Sequence, residues 1–311
     1  EINEIVRKFY TIPDEELSID DEGKIFWNSS LVAKLLKGKN NFSPDIHIFH
    51  SDLLDSENIT LISERIEKFI EEYIRKSLGS LISLDEEDLK PFSKGIIFQL
   101  KEGFGSIPLS NIEKLIKSLS EDEKKDLGRK GIRFGVEYVY IPDLLKPAAV
   151  KIRALLSGLN DNQFYSDSLP EDGRVAFEPK TLLSDQWYNK IGYAILGDRV
   201  MRVDMVERLS AIIRASARNG TFNISEEMLS IAGATREQMS KILDSLGYIS
   251  VRNNEINDND IHAETIFKKN IKRKKHISNK RNIKSKNNKN NKLKSSKPKK
   301  ITENKKILNP N

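Results

Sequence analysis

Residues 131–159, GIRFGVEYVYIPDLLKPAAVKIRALLSGL, constrain the fold most, because they change from a strand pattern to a helix pattern within a few residues. Two glycines bracket a short apolar run, and the alternation of residues that follows predicts a hairpin of two half-buried strands. Pro142 can open a helix without losing a hydrogen bond, whereas Pro147 is expected to cap or kink that helix. The stretch holds no catalytic constellation, so it predicts an architecture and no activity.

The charge of the chain is divided sharply along its length. Residues 268–306 hold 18 of the 52 Lys and Arg residues but only one of the 46 acids, Glu303, which gives a net charge of +17. The remainder holds 34 bases and 45 acids, a net charge of −11. A segment as charged as the tail cannot bury enough apolar surface to offset the entropy of ordering. We therefore predict a disordered Lys/Asn-rich tail over residues 253–311, preceded by a folded acidic body.

The composition also excludes several kinds of chemistry. No cysteine occurs, which excludes disulfides, thiolate metal sites and cysteine nucleophiles. No apolar run approaches the ~18 residues of a membrane span, and the N-terminus lacks a signal-peptide pattern. We therefore expect a cytoplasmic protein that does not contact membranes. Because the chain starts without Met and already in a helical pattern, we also expect it to begin inside a longer protein.

The residue pattern of the body predicts an α+β fold that is mostly helical and contains several short hairpins. The first predicted unit, residues 1–80, is a small α+β module. In it a hairpin turns at residues 21–23, a further strand covers residues 45–49, and Asp55 or Ser56 caps a long helix.

Two further units are predicted before the tail. Residues 81–165 form a helical module that contains the central hairpin and helix. Residues 166–252 combine a hairpin around residues 197–198 and a helix with a unit that resembles a winged helix. Capping boxes predict three helix starts, at Ser110-x-x-Glu113, Ser120-x-x-Glu123 and Thr235-x-x-Gln238.

The basic tail is the strongest functional signal in the sequence. Its cations can neutralise phosphates and release counterions; if about a third engage together, the log-log salt slope on duplex DNA is about −5. Because Phe267 is the tail's single aromatic residue, the contact is expected to be blind to sequence. The alternative is a solubilising tail without a defined partner. The candidate contact residues at its start are Lys268, Lys269, Lys272, Arg273, Lys274, Lys275, Lys280 and Arg281.

Residues 221–251 resemble a helix-turn-helix followed by a strand. On a DNA reader, the second helix would present Arg236 and Lys241 to a groove, together with Gln238. However, Glu237 and an aspartate on the same helix would repel phosphates. The alternatives are plain helical packing or a contact with another protein.

A pair of histidines, His47 and His50, lies between two aspartates in the first module. Residues three apart on a strand point to opposite faces, so a single metal ion is not expected to bind both. The acidic run at residues 85–88 is interpreted as a helix start that complements the helix dipole, without a metal. We therefore predict no metal site.

Residues 127–131, LGRKG, superficially resemble the arginine-bearing core of a helicase motor motif. Lys125 and Ile132 stand where that motif requires Gln and Arg, so the segment is interpreted as a helix end and a turn. The sequence has no phosphate-binding G-x-x-x-x-G-K-[ST] loop, nucleophile elbow or dinucleotide fingerprint. It therefore predicts no catalytic and no cofactor-binding residue in this chain.

Four segments nevertheless carry a resemblance to a known family: KFYTIPDEELSIDDEGKIFW, GIIFQLKEGFG, GIRFGVEYVYIPDLLKPAAVKIRALL and GYAILGDRVMRVDMVERLS. Together they resemble the C-terminal region of alphaproteobacterial superfamily 2 helicases, which are similar to the RNA helicase of the mitochondrial degradosome. The resemblance covers residues 1–251 and leaves out the tail. Ser157 departs from it, since the family is expected to have Trp there, and a looser core around the central helix would follow.

The resemblance implies a parent protein in which two upstream RecA-like domains use ATP and Mg to unwind RNA or DNA. Those domains are not among the residues here, so no catalytic or cofactor role passes to this chain. The expected function is an accessory one: gripping RNA or DNA and supporting the upstream motor domains in cis. The alternative is a protein-interaction scaffold that docks a nuclease or ribosomal partner, with the tail as a tether.

Overall fold

A computed structural model describes residues 2–49, 54–84, 89–179, 183–251 and 266–270 of the chain. In these residues α-helices predominate and four small antiparallel sheets lie among them, which confirms the predicted α+β, mostly helical class. None of the helices in this part of the chain is both long and apolar enough to cross a membrane.

A four-stranded antiparallel meander and two helices form the N-terminal part. The predicted hairpin at residues 21–23 is confirmed, and Asp55 caps the long helix by accepting a hydrogen bond from the backbone N–H of Asn58. A β-bulge at Val32, opposite Ile25 and Phe26, breaks the alternation of the longest strand, which explains why the sequence pattern did not predict it. The elements are α1 (Ile2–Thr11), β1 (Leu17–Ile19), β2 (Lys24–Trp27), β3 (Ser30–Asn40), β4 (Ser43–Ile48) and α2 (Ser56–Ile82).

The middle of the chain is helical around a three-stranded sheet of order β5-β7-β6. Its elements are α3 (Pro91–Glu102), β5 (Ser106–Pro108), α4 (Leu109–Ser118), α5 (Glu121–Arg129), β6 (Arg133–Phe134), β7 (Tyr138–Tyr140) and α6 (Pro147–Asp161). The predicted central hairpin is thus confirmed. Pro142 opens a separate 3-10 turn, Pro142–Leu145, and Pro147 occupies the first turn of α6, where a missing N–H costs nothing.

The two capping boxes predicted for this part have different outcomes. Ser120 and Glu123 form the predicted box at the start of α5. The box at Ser110 is wrong, because α4 already begins at Leu109 and Ser110 lies inside its first turn. Pro108 stands at the cap position and has no side-chain hydrogen bond.

One hydrophobic core joins the N-terminal and middle parts. Its buried side chains run from Phe9 on α1 to Leu159 on α6, on both sides of position 80. The inner face of the four-stranded sheet contributes Ile25, Ala33 and Leu35, all almost fully buried. This face packs the sheet against the helices, and the β3–β4 hairpin tip adds hydrogen bonds of Lys37 and Asn41 with Asn160 on α6.

The C-terminal part contains two three-stranded sheets, of order β8-β10-β9 and β11-β13-β12. The predicted hairpin around residues 197–198 joins β9 to β10. The elements are β8 (Ala176–Phe177), α7 (Asp185–Lys190), β9 (Tyr193–Leu196), β10 (Arg199–Arg202), α8 (Val203–Ser216), β11 (Thr221–Asn223), α9 (Glu226–Ala232), α10 (Arg236–Ser245), β12 (Tyr248–Val251) and β13 (Ile266–Lys269).

Strand β13 corrects the prediction that the chain is disordered from residue 253 onward. It lies between β11 and β12, and its Phe267 is only 1% exposed. The ring of Phe267 lies 6.2 Å from that of Phe222, centroid to centroid. Burial of this one aromatic side chain, with backbone pairing on both sides, offsets the cost of ordering four residues. Residues 253–265 and 271–311 of the predicted tail lie outside the described residues.

Hydrogen exchange tests the position of β13. A central strand pairs its amides with neighbours on both sides, so the amides of Phe267 and Lys268 are expected to exchange as slowly as those of β12. Amide exchange followed by NMR measures this directly. Exchange at the rate of an unstructured peptide would contradict the placement of this strand, whereas the buried helix α8 supplies an internal reference for slow exchange.

Candidate nucleic-acid interface

The helix-turn-helix segment is positioned by its own caps and by a buried stripe. Ser225 caps α9, Gly233 ends it in the left-handed region, and Thr235 and Gln238 form the predicted capping box of α10. The inward side chains of α10, Met239, Ile242 and Leu243, are fully buried. The opposite side of α10 carries the residues that the sequence assigned to groove reading.

Those residues of α10 are all engaged with acidic side chains of the body. Arg236 forms an ion pair of 2.5 Å with Glu226 and also donates to the carbonyl oxygen of Ile224. The Gln238 amide donates to the Glu178 carboxylate. The positive charge that a groove reader would offer to phosphates is thus balanced locally.

Lys241 is held against the β9–β10 hairpin. Its ammonium group lies 2.5 Å from Asp198 and 3.7 Å from Glu237, and the hydrogen bond to Asp198 raises its pKa. Gly197 at the hairpin turn has a φ of +60°, and a Cβ there would lie 2.8 Å from that of Lys241. The hairpin therefore covers this side of α10, which argues against insertion of the helix into a groove.

Lys268 and Lys269 stand apart from this arrangement. Both are exposed at the end of β13, and Lys268 lies directly opposite Thr221 and Ile249 on the neighbouring strands. Neither forms an ion pair with another described residue. The structure thus fixes where the basic segment begins. The other six candidate residues of the tail, Lys272, Arg273, Lys274, Lys275, Lys280 and Arg281, lie outside the described residues.

Arg153 on α6 is a buried cation that the sequence pattern did not predict. Its guanidinium is fully buried and donates to the carbonyl oxygens of Lys190 at 2.7 Å and Leu144 at 2.9 Å, and to Ser106 Oγ at 2.6 Å. No carboxylate among the described residues accepts from it. Burial lowers its pKa to about 9, which leaves it charged at pH 7. Its position on the apolar stripe of α6, three residues after Val150, was the signal available in the sequence.

A second unpredicted feature links α8 to the central hairpin. The Glu207 carboxylate accepts hydrogen bonds from three consecutive backbone N–H groups, those of Val136, Glu137 at 2.8 Å and Tyr138 at 2.6 Å. Gly135 lies directly beside the same carboxylate, where a Cβ would collide with it. Such a concave set of N–H groups is an anion-binding nest, and here a side chain of the same chain occupies it.

The remaining motifs have structural positions. His47 points outward from β4, next to Phe49, while His50 and the acidic run at residues 85–88 lie outside the described residues. No group of three or more His, Asp or Glu side chains suited to a metal occurs in the described part of the chain. The segment LGRKG is the predicted helix end and turn, since α5 ends at Arg129 and Gly131 has a φ of +90°. Ser157 is fully buried on α6.

Comparison with known proteins assigns no family to this chain. No protein-family model matches it, and neither curated proteins nor solved structures provide a match. The helicase resemblance and the winged-helix interpretation therefore stay predictions.

Proposed function

We propose that this chain is a nucleic-acid-binding accessory region, which grips RNA or DNA mainly through its basic C-terminal segment. The observation that carries the proposal is the separation of charge, +17 over residues 268–306 against −11 for the remainder. Polyanions are attracted to the first part and repelled by most of the second. Binding is thereby directed to one end of the chain.

The anchoring of that segment supports the proposal. Phe267 is buried while Lys268 and Lys269 are exposed, so the basic run starts from a fixed point on the body. A basic run that starts from a fixed point stays near that point, which raises the local concentration of its cations around any strand bound there. The contact so formed uses phosphates and reads no sequence.

The order of elements at the C-terminal end also agrees with the proposal. Helix α8, strand β11, helices α9 and α10, and strands β12 and β13 follow one another in the order of a winged-helix unit. Because the charged side chains of α10 already form ion pairs, the second helix of this unit is suited to packing within the body. We propose that the unit serves as the platform from which the tail extends.

The proposal extends to the longer parent protein that the helicase resemblance implies. In it, ATP and Mg bind to upstream motor domains in cis, and the present chain holds the nucleic acid without taking part in hydrolysis. ATP hydrolysis by a chain extended upstream, stimulated by single-stranded RNA, tests this setting. Absence of an upstream motor, together with RNA binding by this chain, would leave a free-standing binding protein.

A tail-neutral variant tests the binding proposal. In this variant of the 311-residue chain the 16 Lys and Arg residues of residues 271–311 are replaced by Ser or Gln. The wild-type chain is expected to bind a random single strand with a log-log salt slope of about −4, if some six cations engage. The variant retains Lys268 and Lys269, so its slope should fall to about −1. Fluorescence anisotropy over a range of KCl concentrations measures both slopes.

A matched control replaces Asn287, Asn288, Asn290 and Asn291 by Ser, which changes the tail without changing its charge. This control is expected to bind with the slope of the wild-type chain. Equal slopes for the wild-type chain and the tail-neutral variant would show that the tail does not contact the nucleic acid.

A second candidate function is a scaffold that docks a protein partner, such as a nuclease or ribosomal protein. The neutralised surface of α10 favours it, because Arg236, Gln238 and Lys241 are already paired with acids of the body. Such a surface suits contact with another protein better than contact with a phosphate backbone. Under this alternative the tail is a tether, and its neutralisation leaves partner binding intact.

A further inference from the structure

Among the residues that the structure describes, helices cover the four-stranded sheet on one face only. Directly paired residues of antiparallel strands share a face, so Lys24, Lys34 and His47 form one row across β2, β3 and β4. Phe26 and Leu31 form a second pair on the same side. We name this surface the outer sheet face and define it by Lys24, Phe26, Leu31, Lys34, His47 and Phe49.

Aromatic rings are accessible at one edge of the outer sheet face. Phe49 follows β4, donates its backbone N–H to the carbonyl oxygen of Val32, and leaves 46% of its surface exposed. Its ring meets that of His47 edge to face, with centroids 5.1 Å apart. Two neighbouring exposed rings on a rigid strand form a platform on which a base can stack.

The charge of this region differs from that of the body around it. Residues 24–49 contain four lysines and a single acid, Asp45, although the body as a whole carries −11. Lys24 is paired with Glu22 at 2.7 Å, whereas Lys34 has no ion pair with a described residue. Lys37 instead donates to the carbonyl oxygen of Asn160 on α6, and Lys39 lies in a cavity beside Glu67 and Glu71 of α2. Lys34 is thus an available cation next to the rings, since it lies directly opposite His47, in a body that otherwise repels polyanions.

We propose that the outer sheet face is a second contact for single-stranded nucleic acid. Bases stack on Phe49 and His47, and the phosphates of the strand run past Lys34. The inference rests on the proposed function in one respect, since both name a nucleic acid as the ligand. It differs in chemistry, because the tail contacts phosphates alone and this face also contacts bases.

Two probes of equal length separate the two kinds of contact. One is a single-stranded oligonucleotide, and the other is the same sugar-phosphate strand without bases. The tail binds both equally, whereas a stacking platform favours the base-bearing strand by roughly 5- to 100-fold for each stacked base. The wild-type chain is therefore expected to prefer the base-bearing strand by at least about fivefold. The tail-neutral variant should bind both strands more weakly and keep this ratio.

Substitution of the two rings locates the contact. The double variant His47→Ala with Phe49→Ala is expected to bring the ratio of affinities close to one, and Phe49→Trp is expected to preserve it. Phe98→Ala is the matched control, since Phe98 is an exposed phenylalanine, 55% accessible, on helix α3. Its ratio should equal that of the wild-type chain. Unfolding midpoints of all variants verify that the body is intact.

Three results would overturn the inference: a ratio near one in the wild-type chain, a ratio that survives the double variant, or loss of the ratio in Phe98→Ala. Self-association of the chain through this face, with no preference for bases, would likewise replace it by a protein contact. Failure of the tail proposal has a different signature, because it leaves the salt slope of the tail-neutral variant unchanged.

Discussion

Replacement of Arg153 by Ala is expected to destabilise the body by about 3–5 kcal/mol. The substitution removes the donor to the carbonyl oxygens of Leu144 and Lys190, and to Ser106 Oγ, which keeps only its own hydrogen bond to Asn189. It also opens a cavity among α6, α7 and β5. Urea unfolding followed by circular dichroism measures the loss.

Two further substitutions at position 153 separate charge from shape. Arg153→Lys keeps the charge, but the Lys side chain cannot reach three acceptors that lie in different directions. Its loss of stability should therefore approach that of Arg153→Ala. Arg153→Met fills the volume and removes the buried charge, so its loss of stability should be smaller, about 1–3 kcal/mol. Arg129→Ala removes an exposed arginine and should leave the midpoint unchanged. An unchanged midpoint for Arg153→Lys would show that the hydrogen-bond geometry contributes little.

Replacement of Glu207 by Ala is expected to destabilise the body by about 2–4 kcal/mol, because it removes a carboxylate that accepts three backbone hydrogen bonds. The N–H groups of Val136, Glu137 and Tyr138 would then be left without their acceptor. Glu207→Gln should recover part of the loss, since its amide oxygen can still accept from Glu137 and Tyr138 while its N–H₂ group faces the N–H of Val136. Thermal unfolding measures both losses, and Glu237→Gln, at an exposed acid, is the control.

A double-mutant cycle with Gly135 tests whether the nest acts through contact with Glu207. Gly135→Ala is expected to destabilise the wild-type chain, since the new methyl group would collide with the Glu207 carboxylate. In the Glu207→Ala background that collision disappears, and Gly135→Ala should be close to neutral. Additive effects would contradict this coupling.

Local signals in the sequence predicted the parts of the fold that depend on a few neighbouring residues. Asp55 as a helix cap, the box at Ser120 and Glu123, and the turn at residues 197–198 each need no distant partner. Strand β3 was not predicted, because a bulge interrupts its alternation. Strand β13 was not predicted for a different reason. At least 14 residues separate it from each of its two partner strands, and the composition of its segment indicated disorder.

The candidate interface was less predictable than the fold, because it depends on pairings between distant residues. The sequence placed Arg236 and Lys241 on one helix, but Asp198 lies 43 positions before Lys241, on another hairpin. The outer sheet face likewise requires the register of three strands, which no single segment encodes. The basic tail was visible at once, because charge is a property of composition.

The order β11-β13-β12 has a consequence for how the chain is made. Strand β13 is synthesised last but occupies the middle of its sheet. Strands β11 and β12 therefore have no strand between them until residue 269 has been added. During that interval β11 and β12 each expose an unpaired strand edge, and such edges pair readily with a strand of another chain. A message cut short before Ile266 would leave this C-terminal sheet permanently open, whereas one cut short within the lysine-rich end would still yield a closed sheet.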